Sequence, residues 1–586
     1  MKSLGWIVFA MVSLLMAAVL ELNKNTVAGW FLFTVAAAGM ILVGRIHMGS
    51  WKRWQRGVAI LAYLFVCTGI VMATWPPIRQ TAAAGSGDVK RTEIVSTAFG
   101  DVRGVVLDSG VELFAGIPYA APPVDELRWK KPRDPEPWSS VLDCDTFAPM
   151  SMQSQNLPIY NSLAQIIGYH DYRISLRDSW REAYSEDSLY LNIWKPAGTV
   201  EKAPVAVYIH GGSLKTGQPW YQDYSGEAFA EDGVLVVNMG YRLGVFGFLA
   251  TEEMTGEEGT AGNFGLLDQI KALEWVKENI EQFGGDPDNI TLIGESAGAV
   301  CVDALCVSPL AAGLFRRAIL ESSAISSIEP PHSYRLFDEA LEAGDILMQK
   351  YNCVSLEELR KIPAEKLVGE QETQHHVTID GYVLPETPYT LRKQGVHNEE
   401  AILHGYNAEE SGPFIIFSHA DLKDYETRVR TLTGKLADEV LALYPASTDE
   451  EADRNWAKIY GAFFFNYSHY CLNRLAQENG IPSWEYLFTK DNGRLGCWHS
   501  GELVYSFGVI PDGSKLYSEA DRQLSERMHG CWTSFISDGD PNSESFSGFE
   551  QSADSSMLME FGDRSGMIQE PDLALYAVFD SMYGWK

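Results

Sequence analysis

The sequence predicts an α/β chain, with a mostly parallel central sheet flanked by helices, preceded by three transmembrane helices. Three observations carry that prediction. Uncharged apolar stretches run over residues 4–20, 27–44 and 57–75. Beyond them, short β-branched runs alternate with helical patterns, the rhythm of parallel strands joined by helices. Between the two parts the charge changes sign. Residues 1–79 hold seven basic side chains (Lys2, Lys24, Arg45, Lys52, Arg53, Arg56, Arg79) and one acidic, Glu21; the remainder has 39 basic against 77 acidic, a net −38.

A helix rising ~1.5 Å per residue needs about 17–25 apolar residues to cross the hydrocarbon core, and all three stretches qualify. The first also fits a signal peptide, which leaves the other two unexplained. "RIHMGSWKRWQR" (45–56) carries four basic residues and no acidic one, whereas "ELNKNT" (21–26) is neutral overall. The positive-inside rule puts the 45–56 loop in the cytoplasm, so everything after the third span is extracytoplasmic, cleaved first segment or not. The expected setting is a multi-pass protein of the cell membrane, in contact with the bilayer through residues 1–79.

"QTAAAGSGD" (80–88) is small and flexible, so residues 80–92 read as a linker. A remainder this acidic repels polyphosphate and disfavours nucleic acid as a partner. Seven cysteines lie outside the spans: Cys144, Cys301, Cys306, Cys353, Cys471, Cys497 and Cys531. Seven cannot all pair, and their spacing forms neither a disulfide framework nor a metal motif. That pattern alone suits a reducing compartment; the basic loop argues the opposite and carries more weight.

In the soluble part, residues 203–210, 233–239 and 290–296 read as buried strands. Residues 266–283 place Leu267, Ile270, Leu273, Val276 and Ile280 at helical spacing, and "GGDPDN" ends that helix. Residues 91–120 alternate in short runs around glycines, like an antiparallel edge meander.

"TLIGESAGA" (291–299) ends a strand in small residues around Ser296. A strand–turn–helix with glycines on both sides of a serine presents the hydroxyl at a sharp turn, although a GxSxG pentapeptide alone is common by chance. "YIHGGS" (208–213) puts Gly211 and Gly212 directly after a strand, where backbone N–H groups without a Cβ in the way suit an oxyanion site. A plain hairpin turn is the alternative for a Gly-Gly pair.

With "FAGIPYAAPP" (114–123), "SEDSLYLNIW" (185–194), "YRLGVFGFLA" (241–250), "GNFGLLDQ" (262–269) and "FGGDPDNITLIGESAGA" (283–299), the chain resembles the type-B carboxylesterases. These belong to the α/β-hydrolase superfamily and include cholinesterases and bacterial para-nitrobenzyl esterases. The resemblance covers residues 93–586 and implies one large α/β-hydrolase domain, where length alone suggests about four domains. It implies a triad of Ser296, an acid in "LHGYNAEESGPF" (403–414), and a base in "CWHSGELVYSFG" (497–508). Register puts the acid at Glu410, with Glu409 adjacent, and the base at His499. Ser411 stands where the family has glycine. Ala297 joins Gly211 and Gly212 in the oxyanion hole through its N–H.

The resemblance further implies bracing ion pairs, Arg128 with Glu186 and Arg242 with Asp268, and a Glu295 close to the site. Gly240 replaces the family's asparagine. The family often carries a disulfide at the positions of Ser151 and Ser188. Without it, the intervening segment, with Tyr160, Tyr169, Tyr172, Trp180 and Tyr184, is expected to be more mobile and to border the active-site mouth. The implied reaction is hydrolysis of small-molecule carboxylic esters with no metal or organic cofactor. Open alternatives are an amidase or lactonase on the same triad, and a catalytically silent binding or adhesion module.

Overall fold

The computed structural model describes residues 2–583 apart from 48–49, 84–88, 168–179, 199–200, 328–333, 374–375, 492–495, 544–545 and 553–555. Tyr169 and Tyr172 lie outside the described residues. The chain forms two compact units, one of Met1–Gln80 with Gln155–Ala183, the other of Thr81–Ser154 with Tyr184–Lys586.

The first unit contains α1 (Lys2–Leu22), α2 (Val27–His47), α3 (Arg53–Ala73) and α4 (Pro158–Ile167). The first three are each long and apolar enough to cross a membrane. Phe9, Met16, Leu20, Met40, Tyr63, Cys67 and Val71 pack between them, while Leu14, Phe31 and Phe65 face outward. Asn25 ties the α1–α2 turn to the end of α3, its Nδ2 donating to the Val71 carbonyl at 2.7 Å and to Thr74 Oγ1 at 3.0 Å.

The second unit is built on eleven strands: β1 (Val105–Val106), β2 (Glu112–Pro118), β3 (Tyr190–Lys195), β4 (Ala203–Ile209), β5 (Leu235–Met239), β6 (Gly285–Glu295), β7 (Arg317–Glu321), β8 (Ala401–Asn407), β9 (Ser483–Phe488), β10 (Met557–Phe561) and β11 (Gly566–Gln569). Their order across the sheet is β11-β10-β9-β8-β7-β6-β4-β5-β3-β2-β1. From β10 to β5 every pairing is parallel; only the edges are antiparallel. Buried central strands such as β4, "APVAVYI", are apolar on both faces because helices cover both sides. This is the α/β-hydrolase fold.

The helix expected over 266–283 is α5 (Phe264–Asn279), which tightens into a 3-10 turn at Ile280–Phe283 and stops at left-handed Gly284, φ 89°. The edge meander is divided. Val95–Thr97 and Gly100–Arg103 pair antiparallel in a separate small sheet, whereas β1 and β2 form the margin of the main one. All eight cysteines are free thiols.

Arg128 grips Glu186 with two hydrogen bonds (2.6 and 2.5 Å), and Arg242 grips Asp268 likewise (2.8 and 2.7 Å). The structure also explains Gly240: a Cβ there would stand 2.6 Å from the Ser188 carbonyl oxygen, so no larger residue fits without a shift.

Candidate active site

The candidate residues gather where parallel strands end, the usual position of sites in open α/β sheets. Strand β6 leads into Ser296 and at once into α6 (Ala297–Val307), a helix buried along its whole length. Ser296 has φ 54° and ψ −124°, a region costly for a residue with a side chain and retained where surrounding packing enforces it. The packing is visible: a Cβ on Gly298 would overlap the Ile209 carbonyl oxygen, and one on Gly294 would overlap the Gly298 backbone. Glycine on both sides therefore lets the turn close and leaves Ser296 partly accessible.

Three residues beyond the end of β8, Glu410 is 1% exposed. Its Oε1 accepts the Asn407 N–H at 2.7 Å and its Oε2 meets His499 Nδ1 at 2.5 Å. Because a carboxylate only accepts, Nδ1 donates, and in the neutral ring Nε2 is left as an acceptor. Ser296 Oγ lies 2.8 Å from that Nε2. Glu409 turns elsewhere; its carboxylate lies against Gly496, and its backbone bridges to Trp498. Ser411 has φ −68° and ψ −24°, an ordinary helical conformation, so the turn has no need of glycine there.

Gly211 follows β4 and packs directly on the serine turn: a Cβ on it would be 3.0 Å from Ser296 Cβ and 2.7 Å from the Glu295 carbonyl oxygen. Gly212 has φ 102°, a conformation open to glycine but strained for other residues. Ala297 is the first residue of α6, whose amide dipoles put partial positive charge beside Ser296. His210, before the glycine pair, is buried and stacked on Tyr241 at 4.6 Å, and burial pushes it down to about 4. It is neutral at physiological pH.

Several contributors escaped the sequence reading. Glu502 accepts from Ser322 Oγ at 2.5 Å and from Asn407 Nδ2, while Asn407 Nδ2 also reaches the Trp498 carbonyl at 2.8 Å. These bonds stitch the loop carrying Glu410 to the loop carrying His499. The signal for Glu502 was present, since it is the glutamate of the His-x-x-Glu-Leu string. Phe465 and Phe414 flank the imidazole with centroids at 4.9 and 5.1 Å. A π-helical turn, Ala462–Asn466, delivers Phe465, and nothing local in "AFFFN" marks it.

The electrostatics are dominated by buried carboxylates. Glu295 approaches His499 Nε2 at 3.4 Å and accepts from Ser500 Oγ at 2.5 Å. Burial raises Glu295 and Glu502 above the ordinary carboxylate range, and the neighbouring Glu410 adds to both shifts. For His499 burial favours the neutral ring, but the facing carboxylates of Glu410 and Glu295 prevail and raise it to about 9.

Comparison with known proteins agrees with this architecture. The profile of the carboxylesterase family matches residues 91–572. Para-nitrobenzyl esterase of Bacillus subtilis (strain 168) is 33% identical over 472 residues, 77% of this chain and 91% of that one. Fumonisin B1 esterase of Sphingopyxis macrogoltabida is 32% identical over 534 residues, 87% of this chain and 92% of that one. Among solved structures, the Geobacillus stearothermophilus carboxylesterase EST55 at pH 6.2 superposes with a TM-score of 0.72 at 31% identity, over 83% of this chain and 100% of that one. Similarity on this scale, over a sheet of the same fold, makes the chain a member of the carboxylesterase family, with carboxylic ester hydrolysis as its class of chemistry.

Proposed function

We propose that the protein is a membrane-anchored serine esterase that works through an acyl-enzyme, with Ser296 as nucleophile, His499 as general base and acid, and Glu410 as its orienting acid. The observation that carries this reading is the continuous hydrogen-bonded chain from Ser296 Oγ through both ring nitrogens of His499 to Glu410. His499 Nε2 takes the Ser296 proton as Oγ bonds to the ester carbonyl carbon. The carbonyl π electrons move onto oxygen, and the N–H groups of Gly211, Gly212 and Ala297 hold the oxyanion. Collapse expels the alcohol, which takes the proton from Nε2. Water, deprotonated by the same nitrogen, then attacks the acyl carbon; the bond to Ser296 Oγ breaks, Oγ takes the proton back from Nε2, and the acid leaves. Glu410 keeps the tautomer and balances the imidazolium charge.

The substrate class is a small ester. Three apolar helices and the basic 45–56 loop support a multi-pass anchor with the catalytic part outside the cytoplasm. The test uses the full-length enzyme with p-nitrophenyl acetate and a fluorophosphonate probe. Both turnover and labelling are expected, and both are expected to disappear in Ser296→Ala. A Ser296→Ala protein that still turns over the ester would remove the serine mechanism.

A further inference from the structure

Residues 155–183 interrupt the hydrolase part of the sequence, yet they pack into one compact unit with residues 1–80. The attachment is specific. Arg181–Glu182 pairs in parallel with Ile78–Arg79, a few residues after α3 ends. The Arg181 N–H donates to the Pro77 carbonyl at 2.8 Å, its Nε to the Pro76 carbonyl at 3.2 Å, and the Ala183 N–H to the Arg79 carbonyl at 3.0 Å. Gln155, at the start of the excursion, donates to the Glu182 carbonyl at 2.7 Å, so both ends are held at one place. The same end of α3 is bonded to the α1–α2 turn through Thr26 N–H and the Thr74 carbonyl at 3.1 Å.

Helix α4 packs against α1 and is arranged inside out for a helix in water. At 3.6 residues per turn, Tyr160, Leu163, Ile166 and Ile167 share one side of the helix, with Leu157 immediately before its first turn. All five are exposed, by 41 to 61%. The buried position is polar, Ser162 at 2%. Helices that meet water bury their apolar stripe; this one turns it outward. The surrounding sequence is also discharged, with no Asp, Glu, Lys or Arg over 146–170 in a part of the chain whose net charge is −38.

We infer that α4 is an interfacial helix whose apolar face lies in the acyl–headgroup boundary of the bilayer leaflet reached by the end of α3. Lipid is the occupant because the face belongs to a helix already packed on a membrane span, is tied to the point where another span ends, and carries no charge to hold it in water. The inference rests on the membrane reading above and adds a contact that does not come from the three spans.

The experiment places a photoreactive benzoylphenylalanine, one position at a time, at Leu163 and Ile167 in the full-length enzyme reconstituted in phosphatidylcholine vesicles. Phe65 in α3, 81% exposed, reports on the spans, and Val354 in the second unit, 84% exposed, reports on water. Lipid adducts at Leu163 and Ile167 within about threefold of the Phe65 yield, with none at Val354, are expected. Adducts at Phe65 with none at Leu163 and Ile167, or with cross-links there to a second copy of the chain, would overturn the interfacial helix and leave the spans standing. No lipid adduct at Phe65 would overturn the membrane reading and this inference with it.

Discussion

The hydroxyls of Ser151 and Ser188 lie 3.0 Å apart, both buried, at the two positions where the family resemblance implies a disulfide. Ser151 also donates to the Tyr241 carbonyl at 2.6 Å, and Met150–Ser151 pairs in parallel with Tyr184–Ser185. A hydrogen bond and a two-residue ladder hold the base of the excursion where a covalent link would otherwise do so.

Ser151→Cys with Ser188→Cys is therefore expected to oxidise to a disulfide and to stabilise the enzyme against urea by about 3–4 kcal/mol, the chain-entropy value for a loop of this length. The reduced double variant should be less stable than the parent, because thiols replace the hydroxyl bonds poorly. Thiol titration and unfolding with and without reductant check both. Persistently free thiols after oxidation would show that the two positions are not poised for a bridge.

In the proposed mechanism His499 takes the serine proton only when neutral, so activity is expected to fall as pH drops through its folded value. Because the facing carboxylates raise that value to about 9, the acid limb of kcat/KM is expected well above the ordinary ~6.5 for imidazole. Glu295→Gln removes a carboxylate 3.4 Å from Nε2 and should move the limb downward. A limb at or below pH 6.5 in the parent enzyme contradicts this electrostatic account.

Glu410→Gln should lower kcat by about 10³–10⁴-fold, since an amide no longer enforces the tautomer. Glu409→Gln, whose carboxylate faces Gly496 and not the imidazole, should stay within about threefold of the parent. The reverse order in steady-state kinetics would transfer the acid role to Glu409.

Behind the serine, Arg392 is fully buried between Asp303 of α6 at 2.8 Å and Glu399 at 2.6 Å, with Nε on Ser326 Oγ at 2.9 Å. Arg392→Met leaves two buried carboxylates unpaired and should cost about 3–5 kcal/mol in denaturant unfolding. A loss below ~1 kcal/mol would mean that the carboxylates protonate or rehydrate without strain.

For topology, Thr26→Cys and Ser50→Cys, each in a Cys353→Ser background, should react with a membrane-impermeant maleimide from opposite sides. Cys353 is the one cysteine that is not buried, so its removal lowers the background. In intact cells Thr26→Cys labels and Ser50→Cys waits for lysis; the opposite pattern places the catalytic part in the cytoplasm.

What the sequence determined by itself is local. A span is legible because the bilayer sets its length, the turn at Ser296 because only glycine tolerates the approach of neighbouring backbone, and the α/β class because buried parallel strands are apolar on both faces. Ser296 and His499 stand 203 positions apart, and His499 and Glu410 stand 89 apart. Motif strings named those three as candidates, but only the order and register of β6, β7, β8 and β9 bring the ends of their strands together. Glu502, Ser322 and Phe465 join the site through contacts between distant loops, which leave no periodic trace. Gly240 had no reason until the Ser188 carbonyl appeared beside it. The grouping of α4 with the spans was equally hidden, because an amphipathic pattern states which residues share a face and not which solvent that face meets; only packing on α1, with Ser162 turned inward, decided it.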